Sequence, residues 1–225
     1  MWCIPPKQNA EFVANMEDVL EVYARPYDKD YPVICMDEKA YQLVGDRYEP
    51  IKLSENNHIE KYDCEYDRCG SCSIFMFNEP LAGWRHAIAL PQRTSEDWAE
   101  RIKWLLDKQY PTAKKVVLVM DNLNTHKISS LYKLYQPEEA LGLAQRLEIH
   151  YTPKHGSWLN IAEIELSALT LQCLSTNRIP SLKELNTQLS AWHTNRNQAQ
   201  KGVDWHFKTK DARTKLKYLY PIVNL

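Results

Sequence analysis

A chain of 225 residues with 44% hydrophobic and 25% charged residues can bury a real core, as one large domain or a domain with an appendage. Its net charge of −1 and pI of about 6.7 argue against a protein whose whole surface grips nucleic acid, but leave room for a basic patch beside an acidic site. No apolar run is long enough to span a bilayer, and the opening "MWCIPPKQNAEF" lacks the basic-then-apolar order of a secretory signal, which points to the cytoplasm and to no membrane partner.

Residues 1–30 carry prolines at both ends and a short helical pattern between them, "AEFVANMEDVLEVYA", and read as a linker helix leading into a domain. A compact domain, 31–200, then opens with "PVICMDE", a short buried strand over Val33 to Asp37. Residues 40 to 93 read as a β-meander through "YQLVG", "EYDRC", "CSIFMFNEP" and "WRHAIAL". "TSEDWAERIKWLLDKQY" is an amphipathic helix with Thr94 or Ser95 as its N-cap. "KKVVLVMD" follows, and its unbroken apolar character suits a strand covered on both faces. Thr125 to Leu134 and "PEEALGLAQRL", with Pro137 at its start, are short helices, and "LEIHYT" is another strand. Two longer helices come next, "GSWLNIAEIELSALTLQCLS" capped by Ser157 and "SLKELNTQLSAWHTNRN" capped by Ser181. Residues 201–225 form a basic extension, helical in its second half. A mixed sheet with helices on both faces satisfies this order, an α/β class whose ligands gather beyond the carboxyl ends of the parallel strands.

The six cysteines fit a reducing compartment as free thiols. Cys69 and Cys72 are spaced C-x-x-C near Cys64, but a structural zinc site needs a fourth soft ligand and only His58 is near. Alternation in "KYDCEYDRCGSCSIFMF" favours ordinary strand cysteines in a hairpin, with Gly70 near its turn.

Two strands end alike, "PVICMD" at Asp37 and "VVLVMD" at Asp121. If they are parallel neighbours, both carboxylates lie at one sheet edge, where like charges repel and a hard cation such as Mg²⁺ removes the repulsion. An aspartate at a strand end is also a plain turn former, helped here by Asn122. A third acid can come from the helix after Ser157, where Glu163 and Glu165 point to nearly opposite sides. Glu163 falls on the polar side with Asn160, Ser167 and Thr170. Glu165 falls at the apolar margin, as a supporting or snorkelling residue. Lys154 and His155 precede this helix and would place donors beside the site. Three carboxylates bridging two divalent ions suit phosphodiester cleavage and transfer.

"CMDEKA", "VLVMDNLNTH" and "HYTPKHGSWLNIAEIELS", together with "NEPLAGWRHAIAL", "RIKWLLDKQYP" and "VDWHFKTKDARTKLKYLYP", closely resemble the DDE transposases of bacterial insertion sequences, in the branch related to the Tc/mariner superfamily (the IS-six-thirty group). The resemblance runs over nearly the whole chain. It implies a ribonuclease H-like fold, dependence on Mg²⁺ or Mn²⁺, cleavage of DNA at transposon ends, and attack of the freed 3′-hydroxyl on target DNA. Carried over by motif, Asp37, Asp121 and Glu163 are the three catalytic, metal-binding acids, the last through Asn160-Ile161-Ala162-Glu163. Asn122, Asn124 and His126 match the polar cluster after the second acid, where they would orient ligands or hold the scissile phosphate; His126 also reads as a helix N-terminal residue packed on the strand. The family usually begins with helix-turn-helix segments that recognise transposon ends. None precedes the linker here, so a separate helix-turn-helix portion is an expected partner, alongside DNA and a second copy of the chain in a homodimer.

Lys208, Lys210, Arg213, Lys215 and Lys217 in the tail could hold DNA phosphates, or could be a solvated face favoured by the helix dipole. Two rivals share the acids: a ribonuclease H-like nuclease that cuts without joining, and a silent or regulatory transposase fragment.

Overall fold

The computed structural model describes residues 7–48, 64–175 and 178–222. Its frame is a five-stranded sheet of β1 (Val33–Asp46), β2 (Tyr66–Glu79), β3 (Trp84–Leu90), β4 (Val116–Met120) and β5 (Leu147–Tyr151), in the order β3-β2-β1-β4-β5. β2 runs antiparallel to both of its neighbours, β1 and β3, whereas β1, β4 and β5 run parallel. Alternation along the strands sends Cys35, Ile74, Met76, Val117 and Val119 to one face and Ile34, Met36, Phe75, Phe77, Leu118 and Met120 to the other. Both faces are covered, which is why β4 reads as an unbroken apolar run.

On the first face lie α1 (Ala10–Tyr23), α5 (Ala162–Leu169, widened into a π-helical turn over Thr170–Leu174), α6 (Leu182–Gln198) and α7 (Thr209–Lys215). The second face carries α2 (Ser95–Trp104), α3 (Ile128–Leu134) and α4 (Pro137–Gln145). The expected caps hold at Thr94, whose hydroxyl accepts from Asp97 N while Asp97 reaches back, and at Ser181.

Several expectations change. The segment expected as a linker is α1, which buries Phe12, Met16, Val19 and Leu20 in the same core as the sheet, and the basic extension buries Ala212, Leu216 and Leu219 beside it. "PVICMDE" and "YQLVG" are one strand, and so are "EYDRC" and "CSIFMFNEP". Gly70 is not at a turn: with φ +110° it sits inside β2, opposite the register shift between Gln42 and Val44, and its carbonyl accepts from the Gln42 amide. The helix expected from Thr125 starts at Ile128. The one expected from Ser157 is a 3₁₀ turn, Ser157–Leu159, an extended Asn160, and only then α5, with no side-chain cap.

β3 is an edge strand, and α6 lies along it as a substitute neighbour. Asn186 accepts from Ala89 N (2.8 Å) and donates to Ala89 O (3.0 Å); Asn197 does the same for Arg85, at 2.9 and 2.8 Å. Between them His193 Nδ1 accepts from Ala87 N at 3.4 Å. Polar side chains thus occupy backbone groups that another strand would otherwise claim. At the β2–β3 turn Gly83 has φ +66°, and a Cβ there would lie 2.7 Å from the Gln200 backbone.

Candidate active site

Parallel pairing of β1 with β4 places Val33, Ile34 and Cys35 opposite Val117, Leu118 and Val119; the same register step carries Asp37 to Asp121. The condition set by the two matched strand endings is therefore met, and both acids follow core residues of the same face. Glu163, in the first turn of α5, shares an open groove with Asp37, Lys39, Ser167 and Thr170. The polar helix face that carries Glu163 is thus the one turned to the groove.

Burial raises the Asp37 carboxyl to about 7, and the charges of Glu163, Asp121 and Glu38 push the same way against a hydrogen bond from Glu38 N (2.7 Å). Asn160 holds this acid from the other side, donating to Met36 O at 2.8 Å and to Asp37 Oδ2 at 3.2 Å. Its extended backbone, rather than a helical one, lets it reach across.

His126 is buried, with Nδ1 2.6 Å from Asp121 Oδ1 and Nε2 3.0 Å from Glu38 Oε1. Burial alone would lower its pKa, but bonds to two carboxylates outweigh that and raise it to about 9. A protonated ring donates to both acids, fixing Asp121 from behind while Trp98 stacks on it at 6.1 Å. His126 thus packs against β1 and grips the second acid, from the turn before α3. Glu38, which alternation sends to the opposite face from Asp37, was not singled out in the sequence; the doubled acid in "CMDEKA" was its only signal.

Hard carboxylate oxygens at the parallel-strand ends are the donor type that Mg²⁺ and Mn²⁺ select. Among the described residues no three His, Cys, Asp or Glu side chains stand close enough to enclose an ion; the charges of Asp121 and Glu163 act on Asp37.

The family described as DDE superfamily endonuclease matches residues 32–186, which include all of these acids. The chain belongs to that family. As a DDE endonuclease its sheet order and two-sided helix cover have solved counterparts. The catalytic domain of Mos1 mariner transposase is 11% identical, with a TM-score of 0.58, covering 98% of this chain and 100% of that one. The Mos1 strand transfer complex (12%, TM-score 0.61) covers 95% of this chain and the Mos1 mariner paired end complex with Mn (13%, TM-score 0.56) covers 88%. The chain spans 62% and 60% of those two Mos1 chains. At such identities the likeness speaks for the fold, which is the ribonuclease H-like one expected. No curated protein sequence shows a significant match.

Other expected site residues of this DDE endonuclease fall in two groups. Lys154 and His155, the latter with φ +65°, are exposed in the turn after β5, at the same end of the parallel strands. There Gly156 is required, because a Cβ would meet Pro153 Cγ at 2.6 Å. Asn122 and Asn124 are exposed after Asp121, and Asn124 accepts from Lys127 Nζ at 3.1 Å.

Glu165 turns away from the groove. It is 1% exposed, with Arg85 NH2 and Arg196 NH2 each 3.2 Å from Oε1, so it ties α5 to β3 and α6 rather than snorkelling. In the tail, Arg213 is held by Glu17 of α1 (2.8 Å), and Lys215 lies 5.7 Å over the Phe207 ring; Lys208, Lys210 and Lys217 are exposed. Cys64 and Cys69 are exposed free thiols and Cys72 a buried one; His58 lies outside the described residues.

Proposed function

We propose that this chain is the catalytic domain of a DNA transposase that cleaves DNA strands and joins the resulting 3′-hydroxyl to target DNA with divalent metal ions. The observation that carries the reading is the parallel pairing of β1 with β4 in a register that, continued past the paired residues, sets Asp37 level with Asp121, with Glu163 facing the groove that Asp37 lines. Asp37, Asp121 and Glu163 would be the ligands, for two Mg²⁺ or Mn²⁺ ions. Ions held there supply an activated water or 3′-hydroxyl and neutralise the leaving oxygen. The protein's own part is orientation: Asn160 and the Glu38 backbone N–H each fix one Asp37 oxygen, and His126 fixes one Asp121 oxygen. Lys154, His155, Asn122 and Asn124, exposed around the same end of the sheet, would take the DNA phosphates, with Lys208, Lys210 and Lys217 as more distant contacts. Transposon ends and target DNA are the partners, in a homodimer of this chain, with end recognition left to a helix-turn-helix portion.

The test is nicking of supercoiled plasmid in Mn²⁺ by the wild type and by Asp37→Asn and Asp121→Asn, with folding followed by circular dichroism. Each variant should lose at least about a thousandfold in rate while staying folded. Equal nicking by either variant, or nicking that survives chelation, would sink the proposal. A duplex already cut to expose a 3′-hydroxyl separates joining from cutting: cutting without joining would favour a plain nuclease.

A further inference from the structure

Asn160 can hold Asp37 only because the chain pauses in an extended conformation (φ −82°, ψ 109°) between the 3₁₀ turn and α5. Locally only the bonds of Asn160 itself hold that pause, since Ile161 at the start of α5 supplies no side-chain cap. Further support comes from α1. The Tyr23 hydroxyl donates to Leu159 O at 2.8 Å and accepts from Ile161 N at 3.4 Å, so it clasps the backbone on either side of Asn160. It also lies 3.4 Å from Cys35 Sγ, two residues before Asp37 on β1. Asn160 itself closes the junction: its Oδ1 accepts from Ala162 N at 3.1 Å, and its carbonyl accepts from Glu163 N at 3.1 Å.

Tyr23 is well anchored for such a task. Its helix buries Met16, Val19 and Leu20, and His150 Nδ1 of β5 sits 2.7 Å from Asp18 of α1. Its ring packs on Trp205 at 5.4 Å between centroids.

We propose that Tyr23 is a positioning residue of the catalytic groove: its hydroxyl sets the Leu159–Ile161 junction, and through it the aim of Asn160 on Asp37 and the starting direction of Glu163. The inference rests on the groove being a divalent-metal site, and it gives the N-terminal helix a part in catalysis without any contact with DNA or metal. A group that orients a metal ligand from behind typically changes metal affinity 10- to 100-fold when removed.

The experiment compares wild type, Tyr23→Phe, Met16→Ala and Asn160→Ala in the full chain. The Mn²⁺ concentration for half-maximal plasmid nicking is measured beside thermal stability. Phenylalanine keeps the ring on Trp205 and removes only the hydroxyl, whereas Met16→Ala weakens the same helix without touching the junction. The expected result is that Tyr23→Phe needs about tenfold more Mn²⁺, that Met16→Ala titrates like wild type despite its lower melting temperature, and that adding Tyr23→Phe to Asn160→Ala costs little more. A Tyr23→Phe titration matching wild type would overturn the inference, as would an equal shift in Met16→Ala, or a Tyr23→Phe chain that does not fold. A wild type that shows no Mn²⁺ dependence instead removes the metal-groove reading itself.

Discussion

Glu163 and Glu165 stand two residues apart on α5 in opposite electrostatic surroundings. Glu163 faces a groove also lined by Asp37 and Glu38, where Asp37 is pushed up to about 7 by burial and by neighbouring negative charge. Glu165 is buried between two guanidiniums, which take both of its oxygens. A folded chain gains nothing from crowding carboxylates at one sheet edge, so such a cluster speaks for a task that needs them. A carboxylate closed off by arginines speaks for architecture. What separates the two acids is the sign of the charges around them, and residue type alone does not reveal it.

The sharpest test of that contrast is to neutralise each in turn. Glu163→Gln should abolish nicking while the melting temperature holds or rises, because a like charge leaves the cluster. Glu165→Ala should lower stability by about 3–5 kcal/mol, since removing one member of a buried ion pair strands its partners, and activity should follow the folded fraction. Urea unfolding with nicking assays on the same samples reads both. Equal loss of activity at equal stability would erase the distinction.

Much of this contrast could be read in the sequence. The matched apolar-Met-Asp endings foretold two parallel neighbours, and helical periodicity put Glu163 with Ser167 and Thr170. Periodicity also set Glu165 apart, yet could not tell a snorkelling acid from a buried one, because its partners Arg85 and Arg196 lie 80 and 31 positions away. The role of Asn160 was suggested by resemblance, but its geometry was hidden: a continuous helix from Ser157 is the simplest reading, and the bonds of the Asn160 side chain together with the tertiary clasp by Tyr23 break it. The first helix looked like a linker because the prolines that flank it mark chain breaks equally well within a domain. Strand lengths were lost at Gly70, where a bulge and a turn make the same demand on the backbone.

The far side of the molecule gives a second, smaller test. Where the groove crowds acids together, the β3 edge is satisfied group by group through Asn186, His193 and Asn197. Replacing both asparagines by alanine strips two bidentate pairs from backbone groups and should cost about 2–4 kcal/mol. The uncovered edge should then associate with other chains, seen as concentration-dependent light scattering, with Mn²⁺ titration of the remaining folded protein unchanged. Loss of stability without association would mean that α6 protects β3 by bulk rather than by its hydrogen bonds.

The smallest expected effect lies in the same quarter and has a definite sign. His86 is packed 4.2 Å from Trp104 and 4.9 Å from His193, measured between ring centroids, and its Nε2 is buried. Burial, with the charges of His193 and Arg101 adding to it, lowers its pKa to about 4. The unfolded chain takes up this proton near pH 6.5 and the folded chain only near 4, so stability from this group is complete above about 6.5 and is lost as pH falls toward 4. Asp37 works in the opposite sense: its raised pKa costs stability as pH climbs from about 3.8 to about 7. The total profile therefore mixes the two regions, and a difference between variants is needed to separate them. His86→Phe keeps the stack on Trp104 and removes the titrating ring. Between pH 7.5 and 4.5 wild type should lose about 2 kcal/mol more than this variant, measured by urea unfolding at each pH. Parallel profiles would show that the ring finds its proton without unfolding, and that the buried edge is as open to water as the groove.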